Sequence, residues 1–206
     1  MARLFVQAIY PYLIFNEVGK AQAKQVAEAL ADVNFGVAYS SDLMRAAETA
    51  ETIMEKHKGT QLIKTKDLRE RCLGKLEGKR LSARRNITGV DETAESVEAF
   101  TRRTMAWWDT QIVNGLVRKL DQPTKDPLQV LLVSHGGFIS GLVKMLINSG
   151  RVQPSNEPIA NWTCYNVSIT TIELEQTGNG RLLKYSDISH LDSSRLVQAN
   201  ADTFVA

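Results

Sequence analysis

The stretch "LQVLLVSHGG" (residues 128–137) constrains the fold of this chain more than any other. Residues 128–133 read as a buried strand, because they are short, rich in branched apolar side chains and preceded by the breaker pair Asp126-Pro127. His135 follows where that strand ends. Gly136 and Gly137 permit close approach of a ligand to the backbone, and residues 138–147 then carry apolar side chains at helical spacing. The unit is strand, turn, helix, with a histidine at the turn. In open α/β sheets ligands bind beyond the carboxyl ends of strands, where the following helix offers unpaired N–H groups to an anion. The stretch therefore predicts an anionic substrate, although a histidine in a tight turn can equally be satisfied by a backbone carbonyl. Other residues must decide.

Elsewhere the periodicities alternate in the same way. Leu4, Phe5 and Val6 predict a first strand, and Val18, Val26, Ala27, Leu30 and Val33 recur at helical spacing through residues 17–33. Residues 36–40 form a second strand, with Ser41 or Asp42 as the cap of a helix over 43–56. Residues 61–68 alternate as a third strand. A long helix fits 92–120, where Trp107 and Trp108 continue an apolar stripe and so read as core and rim packing. Residues 163–174 and 181–186 read as a hairpin turning at Asn179-Gly180, and residues 79–93 and 150–160 read as loops. The expected architecture is a three-layer α/β/α sandwich with a mostly parallel central sheet and a C-terminal hairpin, in one domain over 1–206.

Composition excludes several classes. A 43% hydrophobic and 23% charged content suits a globular chain, and 25 basic against 23 acidic residues give no general attraction to nucleic acid or membrane. Cys72 and Cys164 lack ligand-type spacing and read as core thiols in a reducing compartment, without disulfide or zinc. The apolar start lacks a small-residue cleavage site and contains Pro11, so it reads as a core strand and not a signal peptide. No apolar run reaches the roughly 20 residues that span a bilayer. Asn86, Asn161 and Asn166 each open an Asn-x-Ser/Thr triplet, chance matches in a chain expected to be cytoplasmic or nuclear.

Four motifs lie near predicted strand ends: "YSSDLMRAAETA" (39–50), "LRERCLGKLEGK" (68–79), "ESVEAFTRR" (95–103) and "VSHGG" (133–137). With the helix "GKAQAKQVAEAL" (19–30), they resemble the histidine phosphatase, or phosphoglycerate mutase-like, superfamily over residues of about 16–190. "SSDLMR", "RER" and "EGK" are most similar to its small phosphatases of the fructose-2,6-bisphosphatase (TIGAR) type. The resemblance implies phosphomonoester hydrolysis through a phosphohistidine, on a small phosphorylated metabolite with sugar phosphates foremost, and no metal or cofactor. It implies a phosphate-binding role for Arg45, proton donation by Glu70, and a pocket place for His135 as the second histidine. Each role has a physical basis. Arg45 offers a planar fork to phosphate oxygens, Glu70 can protonate a leaving alkoxide, and protonated His135 can stabilise charge on a transferring phosphoryl group. Gly136 adds close backbone approach to phosphate, Ser41 is either a helix cap or a ligand, and Glu77 with Gly78 shapes the loop.

One departure is decisive for activity. The family carries Arg-His-Gly at the end of strand one, and that histidine attacks phosphorus. Here Gln7, Ala8 and Ile9 stand at those positions, followed by an apolar stretch in place of a phosphate loop, and the first histidine of the chain is His57. His57, at a helix end, is expected to be solvated or capping, and His190 matches no motif. Without a nucleophile the two-step covalent route cannot start, so the chain is expected to be inactive or nearly so, or to serve as a pseudoenzyme that holds a phosphorylated ligand.

Overall fold

Strand β4 (Leu128–His135) is buried from Val130 to its end and separates two hydrophobic cores. Side chains alternate across a strand, so Val130 and Leu132 enter one core while Leu131 and Val133 enter the other. The computed structural model of the chain describes residues 1–9, 17–77, 91–120, 126–154, 159 and 161–191. Around β4 it builds a seven-stranded sheet from β1 (Ala2–Ile9), β2 (Phe35–Ser41), β3 (Leu62–Thr65), β5 (Val152–Gln153), β6 (Ile169–Leu174) and β7 (Gly180–Asp187), in the order β3-β2-β4-β1-β6-β7-β5. β1 and β2 flank β4 in parallel, β2 also pairs in parallel with β3, and β5 with β7; β6 is antiparallel to both β1 and β7. The mixed, mostly parallel sheet expected from the periodicities is present.

Helices cover both faces. On one side α1 (Glu17–Ala29) and α2 (Met44–Met54) bring Val26, Ala27, Ala46, Ala50 and Ile53 against Leu131 and Val133. On the other, α3 (Val97–Trp107) and α4 (Gly136–Asn148) bring Phe100, Trp107, Phe138, Ile139, Leu142 and Leu146 against Leu4, Val6, Val130 and Leu132. Trp108 is fully buried and Trp107 nearly so, with Trp107 edge-on to Tyr39 at 5.4 Å. Both tryptophans are core; the rim reading of one of them is corrected. No helix among the described residues is long and apolar enough to cross a membrane.

Several boundaries differ from the periodic reading, each for a local reason. The segment expected as one helix over 92–120 begins at Val97, because Asp91 first ties up the Thr93 amide and Ser96 then caps α3 by accepting from the Ala99 amide at 3.0 Å. After Trp107 it widens into a π-helical turn (Trp108–Asn114). β3 stops at Thr65, whose hydroxyl accepts from the Asp67 amide and turns the chain into a 3-10 turn (Lys66–Leu68). The last hairpin turns at residues 175–178, with Gly178 at φ +87°, ahead of the Asn179-Gly180 pair expected to form it. β6 begins at Ile169 and not at 163, because Val167 takes a left-handed φ of 49° just before it. Neither Ser41 nor Asp42 is the N-cap of α2, a place that Leu43 takes. Cys164 is buried, its thiol pushed up to about 12 by desolvation, but Cys72 is exposed and not a core thiol. The stretch read as a loop over 150–160 contains the short strand β5, where Val152 and Gln153 pair with Gly180 and Arg181 of β7, and its residues 155–158 and 160 lie outside the described residues, as do residues 79–90 of the other expected loop, residues 10–16 and Gly78.

Candidate active site

The carboxyl ends of β2 and β4 lie side by side, with Ser40 in register with Val133, so the residues that follow each strand face one another. β2 ends in buried Ser40 and Ser41, and β4 in buried Ser134 and His135. His135 is also the N-cap residue of α4, with extended backbone (φ −120°, ψ 154°) and no side-chain capping bond. Its ring reaches across the sheet, where Nε2 lies 2.9 Å from the Ser41 hydroxyl. The Leu43 amide donates to that same hydroxyl at 3.3 Å, so Ser41 joins the histidine to the start of α2.

Glu70 enters from the segment after β3. The Ser134 hydroxyl donates to the Leu68 carbonyl at 2.7 Å, which ties this segment to the end of β4. The Glu70 carboxylate then accepts from the Gly137 amide, in the first turn of α4, at 2.9 Å and from the Arg71 amide at 3.1 Å. A carboxylate there gains from the unpaired N–H groups and the positive end of the helix. Although the residue is partly open to solvent, burial of its carboxyl end is the strongest influence and raises its pKa above the ordinary value, against the lowering effects of the two amides, Arg45 and Arg71. A Cβ at Gly137 would stand 2.6 Å and 2.8 Å from the two carboxylate oxygens, so a side chain there would push the Glu70 carboxylate from its place. Gly136 is buried at the same helix start.

Arg45 projects from the first turn of α2. Burial holds its guanidinium below the ordinary value, opposed by the charges of Glu70 and Glu77, and its buried Nε has no hydrogen-bond partner among the described residues. The expected site residues thus fall at one end of the sheet: Ser41 against His135, Glu70 against the start of α4, and Arg45 within the electrostatic reach of Glu70. A half-buried guanidinium, a histidine and a helix start beside a carboxyl of raised proton affinity can hold a tetrahedral anion and offer a proton to a leaving oxygen. Among the described residues no group of histidine, cysteine, aspartate or glutamate side chains could hold a metal ion.

The other histidines lie elsewhere. His57 is buried and not solvated, its ring 4.9 Å from that of Phe35 at the opposite end of β2; Phe35 and Ser41 stand six positions apart along the strand, about 20 Å. Nε2 of His190 lies 3.0 Å from the Val167 carbonyl. β1 ends beside β4 with Ile9 in register with His135 and Ala8 with Ser134, so the strand end that lacks Arg-His-Gly is the one adjoining His135.

Several supporting residues escaped the sequence reading. Asp42 binds Arg69 through two bonds of 2.6 Å and 2.7 Å, and Glu95 binds Arg103 through two bonds of 2.9 Å and 2.8 Å. "ESVEAFTRR" held the second pair, but a spacing of eight residues signals a contact only once Ser96 is known to start the helix between them. Buried Gln22 and Asn166 pair at 2.5 Å across α1 and the segment before β6, with no periodic signal in either place.

A family model described as the histidine phosphatase superfamily, branch 1, matches residues 14–188. A probable phosphatase of Schizosaccharomyces pombe is 27% identical over 187 residues, covering 86% of this chain and 83% of that protein. The fructose-2,6-bisphosphatase TIGAR of Xenopus tropicalis is 44% identical over 70 residues, 32% of this chain and 26% of its own length. In fold the chain is similar to a phosphoglycerate mutase from Bacillus anthracis, with a TM-score of 0.71 at 23% identity over 92% of this chain and 94% of that one.

Proposed function

This chain belongs to the histidine phosphatase superfamily, branch 1, and from that premise we propose that its pocket binds the phosphoryl group of a small phosphorylated metabolite, a sugar phosphate foremost, without turning it over through a phosphohistidine. In this reading Arg45 and His135 hold the phosphate, Ser41 orients His135, Gly136 lets the anion approach the start of α4, and Glu70 carries the proton that a leaving oxygen would need. Phosphatase-named relatives support phosphate ester chemistry for the pocket. One observation carries the loss of turnover: the end of β1 reads Gln7-Ala8-Ile9, in register with Val133, Ser134 and His135. A water attacking unaided would forgo the covalent intermediate that splits a difficult displacement into two easier ones.

Calorimetry with inorganic phosphate and a hexose phosphate tests the binding half. Arg45→Ala should abolish binding by removing a charge-assisted fork worth about 1.5–3 kcal/mol. Equal affinity in both proteins would put the phosphate elsewhere. Enzyme-like hydrolysis of an aryl phosphate by the unaltered chain, insensitive to His135→Ala, would overturn the mechanistic half.

A second reading has its own support. The family match begins at residue 14, after β1, while the later motifs persist. The gene would then encode a working phosphomonoesterase, with the segment bearing Arg-His-Gly lost from this version by splicing or an incorrect gene model. Genomic DNA around codons 6–16 decides: an in-frame segment encoding the triplet supports it, and continuous coding sequence opposes it.

A further inference from the structure

Glu70 lies on a segment with little regular structure, and its placement depends on bonds to the backbone on either side of it. Arg103, in α3, supplies two of them. Its Nη1 donates to the carbonyls of Asp67 at 2.5 Å and Arg69 at 3.1 Å, while its Nε and Nη2 grip the two oxygens of Glu95. Glu95 closes the other side: its amide donates to the Cys72 carbonyl at 2.9 Å, its carboxylate accepts from the Cys72 amide at 3.4 Å, and its own carbonyl accepts from Arg71 Nη1 at 3.0 Å. The segment is thus held at residues 67, 69, 71 and 72, with Glu70 between. Both partners are largely buried, with side chains 21% and 18% exposed, so the fork is poorly screened. We propose that Arg103 and Glu95 are positioning residues for Glu70, a pair on α3 and its lead-in that fixes the carboxyl group against the start of α4. The proposal rests on the reading of the pocket as a phosphoryl site and adds two residues to it, neither of which touches the ligand.

The test follows the Glu70 carboxyl directly, by carbon-13 NMR titration of the full chain with the resonance assigned through Glu70→Gln. Arg45, Arg71 and the Cys164 thiol are the other titratable groups that bear on Glu70. None of them is altered. In the unaltered protein the Gly137 amide, which donates to Glu70, should shift with the same midpoint. Arg103→Met should lower that midpoint toward the ordinary carboxylate value, because a released segment lets the carboxyl hydrate, and should uncouple the Gly137 amide from it. Arg103→Lys, which keeps the charge but not the fork, should recover part of both effects. A folded Arg103→Met protein with midpoint and amide coupling unchanged overturns the proposal. Should Arg103→Met not fold, Glu95→Gln takes its place: a midpoint lowered in the same sense supports the proposal, and an unmoved one overturns it. Inorganic phosphate titrated into the same samples separates the two readings. If phosphate fails to bind the unaltered chain while the midpoints move as stated, the pocket assignment falls and the positioning role stands; if phosphate binds and the midpoints do not move, the positioning role alone falls.

Discussion

The ring of His135 and the hydroxyl of Ser41 meet at 2.9 Å across 94 residues of sequence, both of them buried. The Ser41 oxygen already accepts from the Leu43 amide, which leaves its O–H for an unprotonated Nε2, or a second lone pair for a protonated one. The contact can therefore persist in either charge state of the histidine.

Ser41→Ala removes that oxygen from two partners at once. It should destabilise the protein by about 1–3 kcal/mol, the cost of leaving a buried polar group unpaired. Urea unfolding measures it, and a change within about 0.5 kcal/mol would mean that the ring finds a substitute. Phosphate affinity should fall in the same variant, because His135 loses the group that orients it.

Gly137→Ala places a methyl group against both oxygens of Glu70. Helix propensity alone would make the change favourable by about 1 kcal/mol. The clash should outweigh this and leave the variant less stable than the unaltered chain in thermal or urea unfolding. Glu70→Gln does not relieve the clash, since the amide side chain occupies the same space, whereas Glu70→Ala in the Gly137→Ala background should restore most of the loss.

Two groups give stability opposite dependences on pH. Burial raises the pKa of Glu70 above its ordinary value of 4.5, so on a rising pH the unfolded chain releases this proton first. The contribution of Glu70 is therefore most favourable below 4.5 and is lost as pH rises through its folded pKa, and Glu70→Gln should gain stability over the parent at neutral pH but not in acid. Burial lowers the pKa of His57 below its ordinary value of 6.5. Its contribution is present above 6.5 and is lost as pH falls toward the folded pKa. His57→Phe should remove that part of the acid sensitivity. Unfolding curves of both variants across pH 4–8 check the signs; an advantage for Glu70→Gln that grows on acidification would be the wrong one.

Replacing residues 7–15 with a family-type loop bearing Arg-His-Gly should create phosphomonoesterase activity, since β1 already delivers position 9 beside His135. The activity should depend on Glu70. For substrates with poor leaving groups, Glu70→Gln in the repaired protein should remove about 10²–10⁴-fold, the usual size of general acid help, and less for an activated aryl phosphate. Steady-state kinetics on both ester types reads the difference.

His135 and its helix were legible in the sequence because a buried strand and an amphipathic helix write opposite periods into adjacent residues, and the point where the periods change is the turn. The three layers followed from the same alternation. What was not legible depends on contacts between elements that carry no period. The Glu95 and Arg103 fork spans a helix cap, the burial of His57 follows from the packing of Phe35 above it, and the exposure of Cys72 follows from its place beside Glu95 on a polar segment. The tail of the long apolar stripe misled for a related reason: a π turn at Trp108 keeps the core face inward while departing from the α-helical hydrogen bonds that the stripe implied.

The central place of β1 governs when the protein can assemble during synthesis. Ala2 pairs with Leu128 on one side and Leu174 on the other, so β1, which is made before the other strands of this sheet, has neither neighbour until more than a hundred further residues have been added. At about 5–20 residues per second, the delay before β4 follows β1 is roughly 6–25 s. Throughout that interval β1 exposes two unpaired edges and the apolar side chains of Leu4 and Val6, a template for wrong pairing. Nascent chains halted before β4 should therefore bind chaperones and aggregate, and release beyond β6 should end both.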